Sequence, residues 1–262
     1  MNKEKLVDKL LDYFIHENDM FLDCNIPTNY EEKRKLLRGI INIRLPENIN
    51  DNILKLEDEL LKLELQDKKI TDAKDINLIE KGIALWQGDI TTLKVDAIVN
   101  AANSAMLGCF IPNHSCIDNQ IHTSSGIRLR LCCNDLMKGK EAKTGEAIIT
   151  PGFNLLSKFV IHTVGPIING EVTKKDKQAL ASCYTSCLDL ASKNNMKTIA
   201  FPCISTGVFA FPKEEACKIA VSTVRDYLKK YPNAFDKVIF NVFLKEDKTY
   251  YERYLKNKKN NQ

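Results

Sequence analysis

"TIAFPCISTGVFAFPKEEA", Thr198–Ala216, holds a complete strand-turn-helix unit. The apolar run "TIAF" reads as a short buried strand. Ser205, Thr206 and Gly207 make a small-residue turn. Pro212, with Glu214 and Glu215 behind it, marks the start of a helix, because proline suits the first turn and acids complement its dipole. Such a junction presents backbone N–H groups in a concave nest, which can receive a phosphate without a basic side chain. By itself the stretch reads first as a tight strand-to-helix connection. Neither G-x-x-x-x-G-K-[ST] nor G-x-G-x-x-G occurs, which argues against a P-loop NTPase.

Outward from this unit the same texture repeats. "GIALWQGDI", "VDAIVNAAN", "AIITPG", "KFVIHTVGP" and "KVIFNVFL" are short β-rich runs. Helical stretches are expected from Ile117 to Lys138, Lys175 to Asn194, Pro212 to Lys230 and Asp247 to Lys256. Near-continuous apolar strands alternating with helices indicate an α/β layered domain. Ligands of such sheets bind beyond the carboxyl ends of the strands. Two loops at such ends carry unusual residues: the one after "TIAFPC" and the one after "VDAIVN".

Upstream the texture changes. Residues 1 to about 75 contain one glycine, Gly39, and read as helices, with apolar residues spaced at three and four. "KEKLVDKLLDYF", "NYEEKRKLLRGIINIR" and "NINDNILKLEDELLKLEL" are the segments, with Pro27 and Pro46 as stop signals. The expected division is a helical N-terminal extension over 1–75 and an α/β domain over 76–262.

The chain has 262 residues, 44% hydrophobic and 27% charged, an ordinary globular composition. Its net charge of +4 is small, and much of it sits in the tail "LKNKKNNQ". No arginine-rich stripe or aromatic-basic interleaving points to nucleic acid. The amphipathic, acid-bearing N-terminus is not a secretory signal, and no apolar run approaches ~20 residues, so no membrane span is expected. The expected compartment is the cytoplasm. There, nine cysteines in no regular spacing point to buried thiols, metal or catalysis rather than disulfides.

The second loop reads "LGCFIPNHSCIDNQIH", Leu107–His122. Cys109, His114 and Cys116 supply three soft ligands with no obvious fourth. That suits a zinc ion left open to water or substrate. The alternative is two buried thiols and a surface histidine, since the spacing is not a usual C-x-x-C pair. Asp118 stands at a helix start, where capping or a first-turn charge is its plain role. His122 reads as a packing or hydrogen-bonding residue of that helix, His162 as core, and Cys132 and Cys133 as helix thiols.

"GDITTLKVDAIVNAANSAMLG", "IDNQIHTSSG", "FVIHTVGP" and "ISTGVFAFP" together resemble a macrodomain, the ADP-ribose-binding α/β fold. They occur in the family's order across roughly Gly82 to Leu255, about two-thirds of the chain. The resemblance implies a three-layer α/β/α domain with a mixed sheet. Where hydrolytic macrodomains usually carry a glycine run, this chain has "GCFIPNHSC" ahead of "IDNQIH". That departure resembles the zinc-dependent subfamily, which also carries a helical N-terminal extension. The implied zinc ligands are Cys109, His114 and Cys116, with one Zn2+ per chain. For ADP-ribose the resemblance implies Asp89 and the Ile90 backbone at adenine, and Asn103 at the distal ribose. It implies Ile117 and Asp118 beside the scissile bond, and Ser205, Thr206, Gly207, Val208 and Phe209 at the diphosphate. Asp118 and Asn103 are the implied catalytic residues, and Phe243 is a weaker candidate for an adenine face.

The activity so implied is hydrolysis of single ADP-ribose units from protein side chains, foremost acid-linked esters. An open-site zinc can polarise an oxygen or lower the pKa of water, and a neighbouring carboxylate can take a proton. Alternatives are a non-catalytic ADP-ribose-binding module, an O-acetyl-ADP-ribose deacetylase, and an interaction protein whose zinc is structural. The resemblance also implies ADP-ribosylated protein as partner, including a lipoyl-carrier protein modified by a sirtuin-type transferase.

Overall fold

A computed structural model describes residues 1–256. The last six residues of the basic tail, 257–262, lie outside it. The N-terminal segment holds helices α1 (Lys3–Glu17), α2 (Tyr30–Ile43) and α3 (Asp51–Gln66). Each begins where an asparagine accepts a bond from an otherwise unpaired backbone N–H: Asn2 from Lys5, Asn29 from Glu32, Asn50 from Asn52. Leu6, Leu10, Phe14, Leu37, Ile40 and Leu60 form their shared core.

Strands β1 (Thr71–Asp72), β2 (Leu78–Glu80), β3 (Ile83–Gln87), β4 (Leu93–Lys94) and β5 (Ala97–Ala102) follow. After them come α4 (Ile117–Ser125), α5 (Ile127–Met137), β6 (Ala147–Pro151), β7 (Phe159–Val164), α6 (Lys174–Lys193), β8 (Thr198–Phe201), α7 (Lys213–Lys230), β9 (Lys237–Val242) and α8 (Lys245–Lys256). Seven strands form one sheet in the order β2-β3-β9-β8-β5-β7-β6. The five central strands are mutually parallel, and β2 and β6 run antiparallel at the edges. This is the mixed sheet and the three-layer arrangement that the sequence led us to expect.

Alternation along the buried strands builds both faces. Ala97 and Val99 of β5, with Val238 and Phe240 of β9, point into one core with Leu180, Tyr184, Ala220, Val224 and Tyr251 of α6, α7 and α8. Ile98 and Ile239 point to the other, with Ile121 and Leu129 of α4 and α5. Fully burying each such large aliphatic side chain is worth about 1.5–3 kcal/mol. Strand β2 and the β1–β4 pair were not foreseen, being too short and, at Leu78, too exposed to carry a pattern. No helix among the described residues is long and apolar enough to cross a membrane.

One expected element is corrected. The helix anticipated from Ile117 to Lys138 is two helices, broken at Gly126, whose φ is +94°. A side chain there would be strained, and its Cβ would meet Glu57 Oε2 at 3.0 Å and Leu61 at 3.1 Å. The break turns the Ile127 N–H onto the buried Glu57 carboxylate at 2.9 Å. Ile127 and Leu131 of α5 pack against the core of α1–α3. The extension is thus sealed to the α/β domain by an acid at a helix N-terminus as well as by apolar contact.

Burial pushes the Glu57 carboxyl up to about 7, against the Ile127 hydrogen bond that favours its charge. A raised folded pKa means that the folded state holds the proton more tightly than the unfolded chain. Its contribution is most favourable below about 4.5 and is lost as pH rises through 7. The penalty above 7 approaches about 3 kcal/mol at most. Glu57→Gln keeps an acceptor for Ile127 and removes the charge. Urea unfolding at pH 5 and pH 8 should show the variant gaining on the parent at the higher pH. A constant difference between the two proteins across that range would refute the charged, buried state.

Candidate active site

The parallel core places five strand ends along one edge. The carboxyl ends of β3, β9, β8, β5 and β7 release respectively Gly88-Asp89, Phe243, the segment 202–211, the segment 103–116 and Gly165. The two loops singled out by sequence are therefore neighbours, since β8 and β5 are hydrogen-bonded partners. This is the crevice position at which α/β sheets bind ligands.

After β8 the chain turns tightly. Ser205 and Ala210 take φ of +64° and +56°, and the Phe211 N–H closes the loop onto the Ser205 carbonyl at 2.9 Å. The Phe209 carbonyl accepts from Ile168 at 2.9 Å, which ties the loop to the segment after β7. Among the described residues, no backbone acceptor takes the N–H of Gly207, Val208 or Phe209. The Ser205 hydroxyl is buried and unpaired. Gly165 leaves it that room, because a Cβ there would fall 2.0 Å from Ser205 Oγ. Free donors in a concave turn are what an anion needs.

At the β3 end, Asp89 Oδ1 accepts from Thr91 N at 2.9 Å and Thr91 Oγ1 at 2.7 Å. Its other oxygen is 3.5 Å from Lys68 Nζ and remains solvent-exposed. Ile90 is buried, which leaves its backbone rather than its side chain for a ligand. Asn241 holds Gly88 through its carbonyl at 2.9 Å. Phe243, 72% exposed, stands at the adjoining β9 end.

The loop after β5 gathers the soft ligands. Cys109 Sγ lies 3.5 Å from His114 Nδ1, and with Cys116 Sγ all three atoms fall within 4.8 Å of one another. Tetrahedral zinc with bonds of roughly 2.3 Å to sulfur and 2.0–2.1 Å to nitrogen would put S and N about 3.5 Å apart. All three residues are half-buried, so the group is not sealed from solvent. Burial, with Cys109 as a repelling neighbour, lifts the Cys116 thiol to about 11. A divalent cation would reverse that preference and hold both thiolates. The donor set and its spacing therefore fit a zinc ion.

Cys116 also caps α4, its Sγ accepting from Asn119 N at 3.4 Å. Asp118 is thus not the cap but the acid of the first turn, the other plain reading of its position. It is buried, and Asn100 Nδ2 donates to its Oδ1 at 2.8 Å. Burial raises the carboxyl to about 6, while Asn100 pulls it down. The same Asn100 amide donates to His162 Nδ1 at 3.1 Å, and His162 Nε2–H donates to Thr150 at 3.0 Å. His162 is the core residue expected, held neutral by burial with a pKa lowered to about 3. His122 packs beneath Gly108, with no hydrogen bond from either ring nitrogen.

Asn103 turns its side chain onto the loop, donating to the Gly108 carbonyl at 2.9 Å and accepting from Met106 N at 3.1 Å. It shapes the turn that launches the cysteine-histidine segment. Ile117, half-buried, opens α4 against the core face formed by Ile98 and Ile121. Asn100 escaped the sequence reading. Its one signal is a polar residue amid the otherwise apolar run "AIVNAA". Asn119, fully buried, was also missed. Its amide donates to the Ile111 carbonyl at 3.0 Å and the Cys109 carbonyl at 3.4 Å, and a helix-surface asparagine gives no hint of that.

Sheet order, a turn with free backbone donors and a cysteine-histidine loop together define an α/β domain with a candidate anion site and a candidate metal centre beyond its strand ends. The Macro domain family profile matches residues 99–220. A "Protein-ADP-ribose hydrolase" of Treponema medium is 47% identical over 250 residues, covering 93% of this chain and 95% of that protein. The chain belongs to the Macro domain family. Among solved structures, a point mutant of the Oceanobacillus iheyensis macrodomain with ADPR aligns at 37% identity and a TM-score of 0.62, covering 69% of this chain and 96% of that one. A Trypanosoma brucei macrodomain in complex with ADP-ribose aligns at 29% identity and 0.66, covering 82% and 94%.

Proposed function

We propose that this chain is a zinc-dependent protein-ADP-ribosyl hydrolase that removes single ADP-ribose units from modified side chains, acid-linked esters first among them. One observation carries the reading: the half-buried Cys109-His114-Cys116 group runs directly into the buried carboxylate Asp118, beside a turn with free backbone donors. A reader of ADP-ribose has no need of metal ligands and a buried acid together. The name of the relative from Treponema medium agrees with hydrolysis.

In this reading the diphosphate lies on the amides of Gly207, Val208 and Phe209, with Phe209 against the ribose. Adenine meets Asp89 and the Ile90 backbone. That pose sends the distal ribose toward Asn103, Ile117 and the cysteine-histidine loop. The bound zinc would supply Lewis acidity toward a ligand oxygen or water. Asp118, aimed by Asn100, takes the proton from the attacking water or orients it. Its burial strengthens that interaction by excluding bulk solvent. A lipoyl-carrier protein modified by a sirtuin-type transferase is the substrate protein proposed.

The test incubates the protein with aspartate- or glutamate-linked and with serine-linked mono-ADP-ribosylated proteins, with and without chelator. Release from the acid-linked substrate, lost on chelation, is expected. Tight ADP-ribose binding without release from either substrate would leave only a binding module.

The nest has its own test. Gly207 has an ordinary φ, and a Cβ there meets nothing within 4 Å, so Gly207→Glu should fold normally. Its carboxylate would face the diphosphate, where like charges at close range cost several kcal/mol. Calorimetry should show ADP-ribose affinity reduced about a hundredfold or more. Unchanged affinity would move the diphosphate off this loop.

A further inference from the structure

The cysteine-histidine loop is not held by the α/β domain alone. Arg38 Nη2 of α2 donates to the His114 carbonyl at 2.8 Å and to Asn119 Oδ1 at 2.7 Å. One turn further, Asn42, 2% exposed, accepts the Asn113 N–H at 2.9 Å and donates to Thr123 at 3.2 Å. Thr123 donates in turn to Asn119 Oδ1 at 3.2 Å. Asn119 closes the circuit through the carbonyls of Ile111 and Cys109. Between the two α2 residues sits Gly39, the extension's only glycine, where a Cβ would lie 3.0 Å from Asn113 Nδ2 and 3.7 Å from Pro112. A glycine inside a helix costs roughly 0.5–1 kcal/mol relative to alanine. Here its bare backbone lets the loop settle onto the helix. Asn113 itself sits at φ +55°, a left-handed conformation that asparagine tolerates.

We propose that Arg38 and Asn42, with Gly39 between them, position the metal loop: the N-terminal extension fixes the backbone on either side of His114, so that imidazole and thiols converge before an ion arrives. The proposal rests on the reading that Cys109, His114 and Cys116 hold zinc. The two anchor points are the amide of residue 113 and the carbonyl of residue 114, which together set the direction of the His114 side chain. Without them the loop between the cysteines keeps one turn bond of its own, His114 N to the Ile111 carbonyl at 3.3 Å, the Asn119 contacts, and Phe110 under the Arg130 guanidinium at 4.4 Å. Outer partners of this kind commonly carry a tenfold to hundredfold share of metal affinity.

The experiment measures zinc affinity of the full chain by competition with a chromogenic chelator, and amide hydrogen exchange at residues 111–116. The variants are Arg38→Met with Asn42→Leu, Arg38→Lys alone, and Gly39→Leu, which displaces the loop without removing a hydrogen-bonding group. Lys33→Ala, on the same helix and paired with Asp8, is the control. Zinc affinity should fall roughly tenfold to hundredfold in the double variant and in Gly39→Leu, and less in Arg38→Lys. Loop amides should exchange faster in metal-free double variant than in metal-free parent. ADP-ribose affinity of the metal-free proteins should stay within about twofold, because adenine and diphosphate contacts lie elsewhere. A parent that binds zinc, with variants of equal affinity, overturns the positioning role alone. A parent that binds no zinc removes the metal reading and this role with it.

Discussion

Asp118→Ala is expected to slow release of ADP-ribose from modified protein by roughly 10²–10⁴ at saturating substrate, the usual weight of a general acid or base. Free ADP-ribose should still bind. Asp118 is buried under the loop, whereas the diphosphate and adenine contacts proposed here come from the β8 and β3 ends. A merely structural aspartate would behave differently. Loss of a helix cap costs about 1 kcal/mol and little activity, but α4 is capped by Cys116. Removing a carboxyl whose pKa burial has lifted to about 6 also relieves a cost of charging it at neutral pH. The variant should therefore unfold at a temperature close to the parent's. Near-parent turnover in a well-folded Asp118→Ala protein would end the catalytic assignment.

Cys109→Ala combined with Cys116→Ser should empty the metal site and lower turnover at least a hundredfold, given the several kcal/mol that a Lewis-acid ion supplies. Serine at 116 keeps an acceptor for Asn119 N, so the helix start survives. Metal analysis should fall from about one zinc per chain to near none. The fold should persist, since the two sheet-facing cores contain none of the three ligands. Unfolding on metal loss would mark a structural zinc instead. If Asp118 and the metal act on one transition state, the triple variant should lose much less than the product of the separate losses. Full zinc in the cysteine variant would move the site, and His122 would be examined first, as it lies within reach of His162 and Cys133.

Much of the candidate site's geometry was legible along the chain because it is local. Cys109, His114 and Cys116 fall within eight residues, and a loop that short cannot keep them far apart. The nest at Ser205 to Phe209 is likewise a strand-turn-helix event. Asn100 was less legible, since its work spans 18 residues to Asp118 and 62 to His162. The split at Gly126 was missed for a similar reason. Helical spacing continues through the glycine, and only the distant Glu57 rewards the break.

The sequence by itself determined the elements: near-continuous apolar runs in "AIVNAA" and "KVIFNV", asparagine caps on the N-terminal helices, and a cysteine-histidine loop followed by an acid. Those features depend on neighbours one turn or one pleat away, where φ/ψ preferences and side-chain periodicity act directly. Only the tertiary structure decided that β8 and β5 pair, so that the Ser205–Phe209 turn and the cysteine-histidine loop stand side by side. It alone brought Arg38 onto the His114 carbonyl across 76 residues. No periodicity encodes such a contact. It exists because α2 must bury Leu37 and Ile40 against α1 and α3, and the side of the helix left over then faces the loop.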